Sequence, residues 1–336
     1  MLLTKETKRK LLLSVISVAL FFILLESGLR LINFNFHISD YIGKFDDHFQ
    51  VDVAISQGAF LKDPVLFWRM APHKAWEVNG LGIRDRRNLG EKKPGSFRII
   101  CLGSSVTIGE PLEYTKLEDT YPAVLEELLN ASYSTNKIEV INAGVLGYTS
   151  YQGLKFLEKE VLKYRPDMVI VHFGYNDGTK ALYFEDKEQP VQPLYLIKIQ
   201  NLLVKSRLYQ LLSKIIFVSK YNLSPRNKNA PSNKVRVTAD DYRYNLELIN
   251  EMGGKNGFKV LFIPPLLYDK GRVCYQYEYS IPENMGYVDY LQRFENERSK
   301  AMLFYDGCHL TPLGHWILAE EIADFLIKNN LLNAKK

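Results

Sequence analysis

Apolar and polar positions fall into three regimes along the chain. Residues 11–25 form an uncharged apolar run that follows the basic cluster Lys5, Lys8, Arg9 and Lys10. Over residues 33–95 the pattern is irregular, broken by turn pairs such as Asp63-Pro64, Ala71-Pro72 and Asn79-Gly80, with the aromatic pair Phe67-Trp68 among them. This stretch reads as a stalk that becomes a lead-in wrapping the main domain. Beyond it, short apolar runs alternate with helix-length segments. Strands are predicted over residues 97–102, 138–141, 167–173, 259–263 and 301–304, the third apolar enough to be buried on both faces. Helices are predicted over 121–129 and, capped by Ser150, from there toward Tyr164, before Pro166 ends the connection. Strands joined by helix-length connections argue for a parallel sheet covered by helices.

Between the third and fourth strands runs an insertion over about residues 180–238, containing an amphipathic stretch, 194–218, and a polar linker, 222–234. Insertions of this kind commonly sit above the sheet edge and shape a substrate cleft.

The N-terminal run has the pattern of a secretory signal peptide or of an uncleaved signal anchor. Fifteen residues rise about 22 Å as a helix, short of a hydrocarbon core of about 30 Å. Apolar character resumes at Leu29, Leu31 and Ile32, however, and Glu26 and Arg30 stand four apart, so one helical face can pair them near the interface. No small-residue cleavage site and no lipid-accepting cysteine follows. The anchor is the favoured reading, and basic residues before it predict a cytoplasmic N-terminus with the rest of the chain outside. The organisation expected is a cytoplasmic basic tail at 1–10, a membrane-spanning signal anchor at 11–32, the stalk and lead-in at 33–95, and an α/β domain at 96–330.

Composition narrows the function classes. With 336 residues, 46% of them apolar, the chain can bury a full core without help from disulfides or metals. A net charge of +5 over 43 basic and 38 acidic side chains does not suggest nucleic acid. Cys101, Cys274 and Cys308 are too few and too scattered for a zinc site or a disulfide scaffold. No metal or organic cofactor is implied.

Each predicted strand end delivers a polar, glycine-containing loop, where open α/β sheets place their active sites. Gly103-Ser104-Ser105-Val106-Thr107 follows the first strand, residues 142–150 with Gly144 and Gly147 the second, and Gly174-Tyr175-Asn176-Asp177-Gly178 the third. Asp306-Gly307-Cys308-His309 follows the fifth, ahead of a closing helix that carries His315.

These four blocks, in this order, resemble those of the SGNH hydrolase superfamily, also called GDSL-like esterases, over roughly residues 98–326. The resemblance implies a three-layer α/β/α, flavodoxin-like fold with a parallel five-stranded sheet. It implies Ser105 as nucleophile, His309 as general base and Asp306 as its orienting partner. The oxyanion hole would be the backbone N–H groups of Ser105 and Gly147 and the side-chain amide of Asn176. A serine hydroxyl needs a neighbouring imidazole to take its proton, and the imidazole needs an acceptor to fix its tautomer, which Asp306 can supply locally. One position departs from the family: Ser104 stands where the name-giving motif has Asp, and it is a rival nucleophile. His172 reads as an internal histidine, His315 as the alternative base or a packing residue. Arg84 reads as a surface ion-pair partner of Asp85 or another carboxylate, or as a contact for an anionic substrate.

The activity expected is ester chemistry through an acyl-Ser105 intermediate, on acyl groups such as acetyl carried by an extracytoplasmic glycan. Three alternatives stand beside it. One is an O-acetyltransferase working with an integral acyl-donating membrane protein. The second is a non-catalytic glycan-binding or assembly module, and the third a lipase held near its substrate by the anchor.

Overall fold

The computed structural model describes residues 4–34, 59–87, 89–132, 137–181, 184–221, 234–276, 279, 281–282 and 285–332. Residues 35–58 of the proposed stalk and lead-in at 33–95, and most of the polar linker at 222–234, lie outside them. The chain divides into two compact units, residues 1–62 with 192–230, and residues 63–191 with 231–336. The middle of the insertion therefore groups with the N-terminal segment.

In the larger unit, β1 (Phe97–Gly103), β2 (Ile138–Gly144), β3 (Met168–His172) and β4 (Lys259–Phe262) form a parallel sheet in the order β2-β1-β3-β4. The register pairs Gly103 with both Gly144 and His172, so three strands end level. Every residue of β1 is buried, as expected of a strand covered on both faces. One face packs Phe97, Ile99 and Cys101 against Tyr121, Leu125 and Leu129 of the Tyr121–Ser132 helix and Leu318, Ile322 and Leu326 of the Pro312–Lys328 helix. The Ser150–Lys159 and Ala239–Asn256 helices pack against each other, the first also against β1 and the second against β4, completing the α/β/α sandwich.

Two expectations change. Residues 301–304 are not a fifth strand: Lys300–Leu303 is a 3-10 helix, and the sheet has four strands among the described residues. The cause is local hydrogen bonding. Thr311 donates its N–H to Leu303 and its hydroxyl to Met302, Tyr305 N–H reaches the His309 carbonyl, and Phe304 bridges Leu310, so this backbone is satisfied by its own return turn. The helix after β2 is capped by Thr149, not Ser150, in a capping box with Gln152. Ser150 is held elsewhere, as described below.

In the smaller unit, Lys5–Leu31 is one continuous helix, about 40 Å long at 1.5 Å per residue. It is the one described helix long and apolar enough to cross a membrane. Glu26 pairs with Arg30 at 2.7 Å, as the spacing suggested. The same carboxylate also accepts from Ser206 Oγ (2.9 Å) and from the N–H groups of Arg207 (3.1 Å) and Leu208 (2.8 Å), capping the Arg207–Tyr221 helix.

Candidate active site

β1 delivers the chain through Gly103 and Ser104 into a one-turn helix, Ser105–Ile108. Ser105 Oγ lies 2.9 Å from His309 Nε2, and His309 Nδ1 lies 2.6 Å from Asp306 Oδ2. Asp306 Oδ1 accepts from the backbone N–H groups of Cys308 and His309, both at 2.8 Å. Burial works against the Asp306 carboxylate, but these N–H donors and the His309 ring outweigh it and hold its carboxyl below the usual range. The turn is fixed from a neighbouring antiparallel hairpin, Leu266–Asp269 with Arg272–Tyr275, whose Tyr268 N–H donates to the Gly307 carbonyl. Ser104 is buried beside Ser105 and caps nothing with its side chain.

The turn that carries Ser105 closes tightly because Gly103 has no side chain. A Cβ there would sit 2.0 Å from Thr107 Oγ1 and 2.8 Å from the His172 carbonyl oxygen. The second loop starts alongside, with Val145 N–H donating to the Gly103 carbonyl.

Gly147 adopts φ +75, in the left-handed region that favours glycine. Its loop is braced on three sides. Trp68 Nε1–H donates to the Leu146 carbonyl at 3.0 Å, Arg236 to the Gly147 carbonyl at 2.8 Å, and the Asn176 amide to the Tyr148 carbonyl at 3.0 Å. Arg236 is fully buried, paired with the equally buried Asp186 at 3.1 Å, bonded to Gln152 Oε1 at 2.7 Å, and stacked over the Trp68 ring. Asp186 also accepts from Thr149 Oγ1. Asp177, buried beside Asn176, accepts from both the N–H and the hydroxyl of Ser150, and burial pushes its carboxyl up to about 7.

Arg84 corrects its reading as a surface ion-pair partner. It is 1% exposed and forms no ion pair among the described residues. Its guanidinium donates to the carbonyls of Ile108 (2.6 Å), Thr115 (2.7 Å) and Trp76 (3.2 Å), tying the lead-in to the end of the Ser105–Ile108 helix. Asp85 instead pairs with Arg87.

The structure thus joins Ser105, His309 and Asp306 directly, and links Asn176 to the loop of Gly147. Sequence reasoning missed Arg236, Asp186 and the role of Trp68. The one signal was a charged residue between Val235 and Val237, which also reads as an exposed strand position.

The remaining candidates resolve as structural. His315 is buried with Nδ1 accepting from Tyr121 N–H, and burial depresses its ring to about 3; His172 is buried and depressed to about 4 for the same reason. Cys101 and Cys308 are buried and Cys274 is half-buried, with Cys308 Sγ 3.8 Å from His309 Nδ1. Asp306, Cys308 and His309 are the one group of potential metal ligands among the described residues. Both His309 nitrogens already face hydrogen-bond partners there, so a metal would have to displace Ser105 or Asp306.

No curated protein matches the chain. Similar solved structures include a lipase/acylhydrolase from Enterococcus faecalis, 22% identical over 71% of this chain and 99% of that one, with a TM-score of 0.42. An acetyl xylan esterase from Geobacillus stearothermophilus is 18% identical over 72% and 99%, with a TM-score of 0.44. A two-domain esterase active on acetylated mannans is 17% identical over 72% and 51%, with a TM-score of 0.43. The model of the GDSL-like lipase/acylhydrolase family matches residues 101–272. The chain belongs to this family and is a serine hydrolase acting on ester bonds.

Proposed function

We propose that the chain is a membrane-anchored esterase that removes small acyl groups, acetyl foremost, from an extracytoplasmic glycan through an acyl-Ser105 intermediate. The observation that carries the mechanism is the unbroken hydrogen-bonded chain from Ser105 Oγ through His309 to Asp306. In this reading His309 Nε2 takes the Ser105 proton as Oγ attacks the ester carbonyl carbon, and Asp306 steadies the resulting imidazolium. The oxyanion is received by the backbone N–H groups of Ser105 and Gly147 and by an Asn176 amide N–H. Collapse expels the sugar hydroxyl, which leaves with the proton from His309. Water then repeats the sequence and frees the carboxylic acid.

The choice of a short acyl group draws on a cavity whose lining includes Ser104 and Cys308, the chain neighbours of Ser105 and His309, and none of the triad residues themselves. It is lined by Ser104, Val106, Tyr175, Leu266, Cys308 and Leu310 among others and holds about 20 Å³, room for roughly one water-sized group. Placement outside the cell rests on the apolar Lys5–Leu31 helix and the basic residues at its start.

The test is initial-rate hydrolysis of acetyl, butyryl and longer-chain esters by the full chain in detergent, with and without a sugar acceptor. Acetyl esters are expected to be cleaved fastest, with free acetate as product. A preference for long chains would overturn the reading in favour of a lipase. Net transfer to the sugar with little hydrolysis would overturn it in favour of an acetyltransferase.

A further inference from the structure

The anchor helix is tied to two further helices of its own unit, and these carry apolar surface that the unit does not cover. In Leu194–Leu203, Ile197 is buried and Asn201 exchanges hydrogen bonds with the Lys62 backbone, which fixes the inward face. Tyr195, Ile199 and Leu202 stand at i, i+4 and i+7 on the opposite side, with Leu196 and Leu203 beside them, all exposed, Leu202 at 80%. In Arg207–Tyr221, Leu212, Ile215 and Ile216 repeat the pattern at i, i+3 and i+4 and are also exposed. A water-facing helix normally puts charges at such positions.

Two observations identify what covers this face. Glu26 caps the start of the Arg207–Tyr221 helix, and Arg30 donates to the Lys205 carbonyl at 3.1 Å. Both residues belong to the last two turns of the 11–32 span, near the interface, so the helix pair is attached at the end of the anchor. In addition, residues 192–221 carry Lys198, Lys205, Arg207, Lys214 and Lys220 but no Asp or Glu. Exposed apolar side chains among basic residues alone, joined to the end of a spanning helix, match the requirements of the interface of an anionic bilayer.

We propose that Leu194–Leu203 and Arg207–Tyr221 form a membrane-interface platform, lying on the outer lipid surface with Tyr195, Ile199, Leu202, Leu212 and Ile216 immersed among the headgroups. The inference rests on the anchor reading and deepens it: the protein meets the bilayer through a surface as well as a span. Exposed Lys198, three residues after Tyr195 and four before Leu202, shares their side of the helix, and its stem can snorkel toward lipid phosphates.

The full chain is reconstituted in vesicles of phosphatidylcholine and phosphatidylglycerol, in a Cys274→Ser background that leaves only the buried native thiols. An environment-sensitive fluorophore is placed singly through Leu20→Cys, Leu202→Cys, Ile216→Cys or Lys255→Cys, and quenching by lipids brominated high on the acyl chain is measured. The expected result is at least twofold quenching at positions 20, 202 and 216 and none at 255. Quenching at 20 with 202 and 216 behaving like 255 would overturn the platform while leaving the anchor intact, and would point to a protein partner for this face. No quenching at position 20 would overturn both.

Discussion

The turn that carries Asp306 and His309 and the loop that carries Gly147 sit in the same site but are built in opposite ways. The first is assembled from neighbours in sequence: one carboxylate accepts two backbone N–H groups and orients a ring three residues away. Half of the Asp306 side chain remains exposed. The second is held by partners about 80 and 90 residues distant, Trp68 and Arg236, through buried polar contacts. In the proposed mechanism the local turn presents its base near solvent, whereas the oxyanion donor must be rigid before charge develops, a rigidity that bonds from the buried Trp68 and Arg236 side chains supply.

Substitutions at the two ends should break this contrast in different ways. Asp306→Asn acts on orientation and charge alone and should lower kcat on the order of 10⁴-fold. Its melting temperature at neutral pH should change little, which parallel rate measurements and thermal melts would check.

Arg236→Met should cost both activity and stability. Loosening Gly147 should reduce kcat about 10²-fold to 10³-fold, and leaving Asp186 buried without its partner should cost about 3–5 kcal/mol in urea unfolding. In Arg236→Met/Asp186→Leu much of the stability should return while kcat stays low. Recovery of both would mean that the pair serves folding only.

Asp177 tests the same buried network through pH. Its carboxyl is raised in the folded state to about 7, so the fold favours its protonated form. The stability this provides is fully present below the unfolded carboxyl range and is lost as pH rises through about 7, a change of a few kcal/mol at most. Relative to Asp177→Asn, the wild type should therefore lose stability between about pH 4 and 7, read from melting curves across that range. Parallel curves would show that Asp177 is ionised throughout.

The smallest effect is expected from Trp68→Phe, which keeps a ring against Arg236 but removes the N–H to Leu146. A loss of about 1 kcal/mol corresponds to less than tenfold in kcat.

The same contrast explains what was legible in the sequence. Short-range features could be read directly: the four loop blocks, the Asp306 to His309 spacing, the strands that became β1 to β4, and the Glu26 to Arg30 pair. Features that depend on what a residue meets across the fold could not. Residues 301–304 look like a strand because their apolar pattern is that of one, yet Thr311 and Leu310 claim their backbone. Arg84 looks like a surface cation, yet four carbonyls surround it. Glu26 had one visible partner four residues on and acquired a helix N-terminus from the far side of the hydrolase domain's first three strands in sequence.

The central claim is that Ser105 is an activated nucleophile, and fluorophosphonate labelling of the full chain followed by peptide mass mapping tests it most directly. Wild type and Ser104→Ala should each gain one adduct, on the peptide bearing Ser105, and Ser105→Ala should gain none. An adduct on Ser104, or a folded wild type that never labels, would contradict the account.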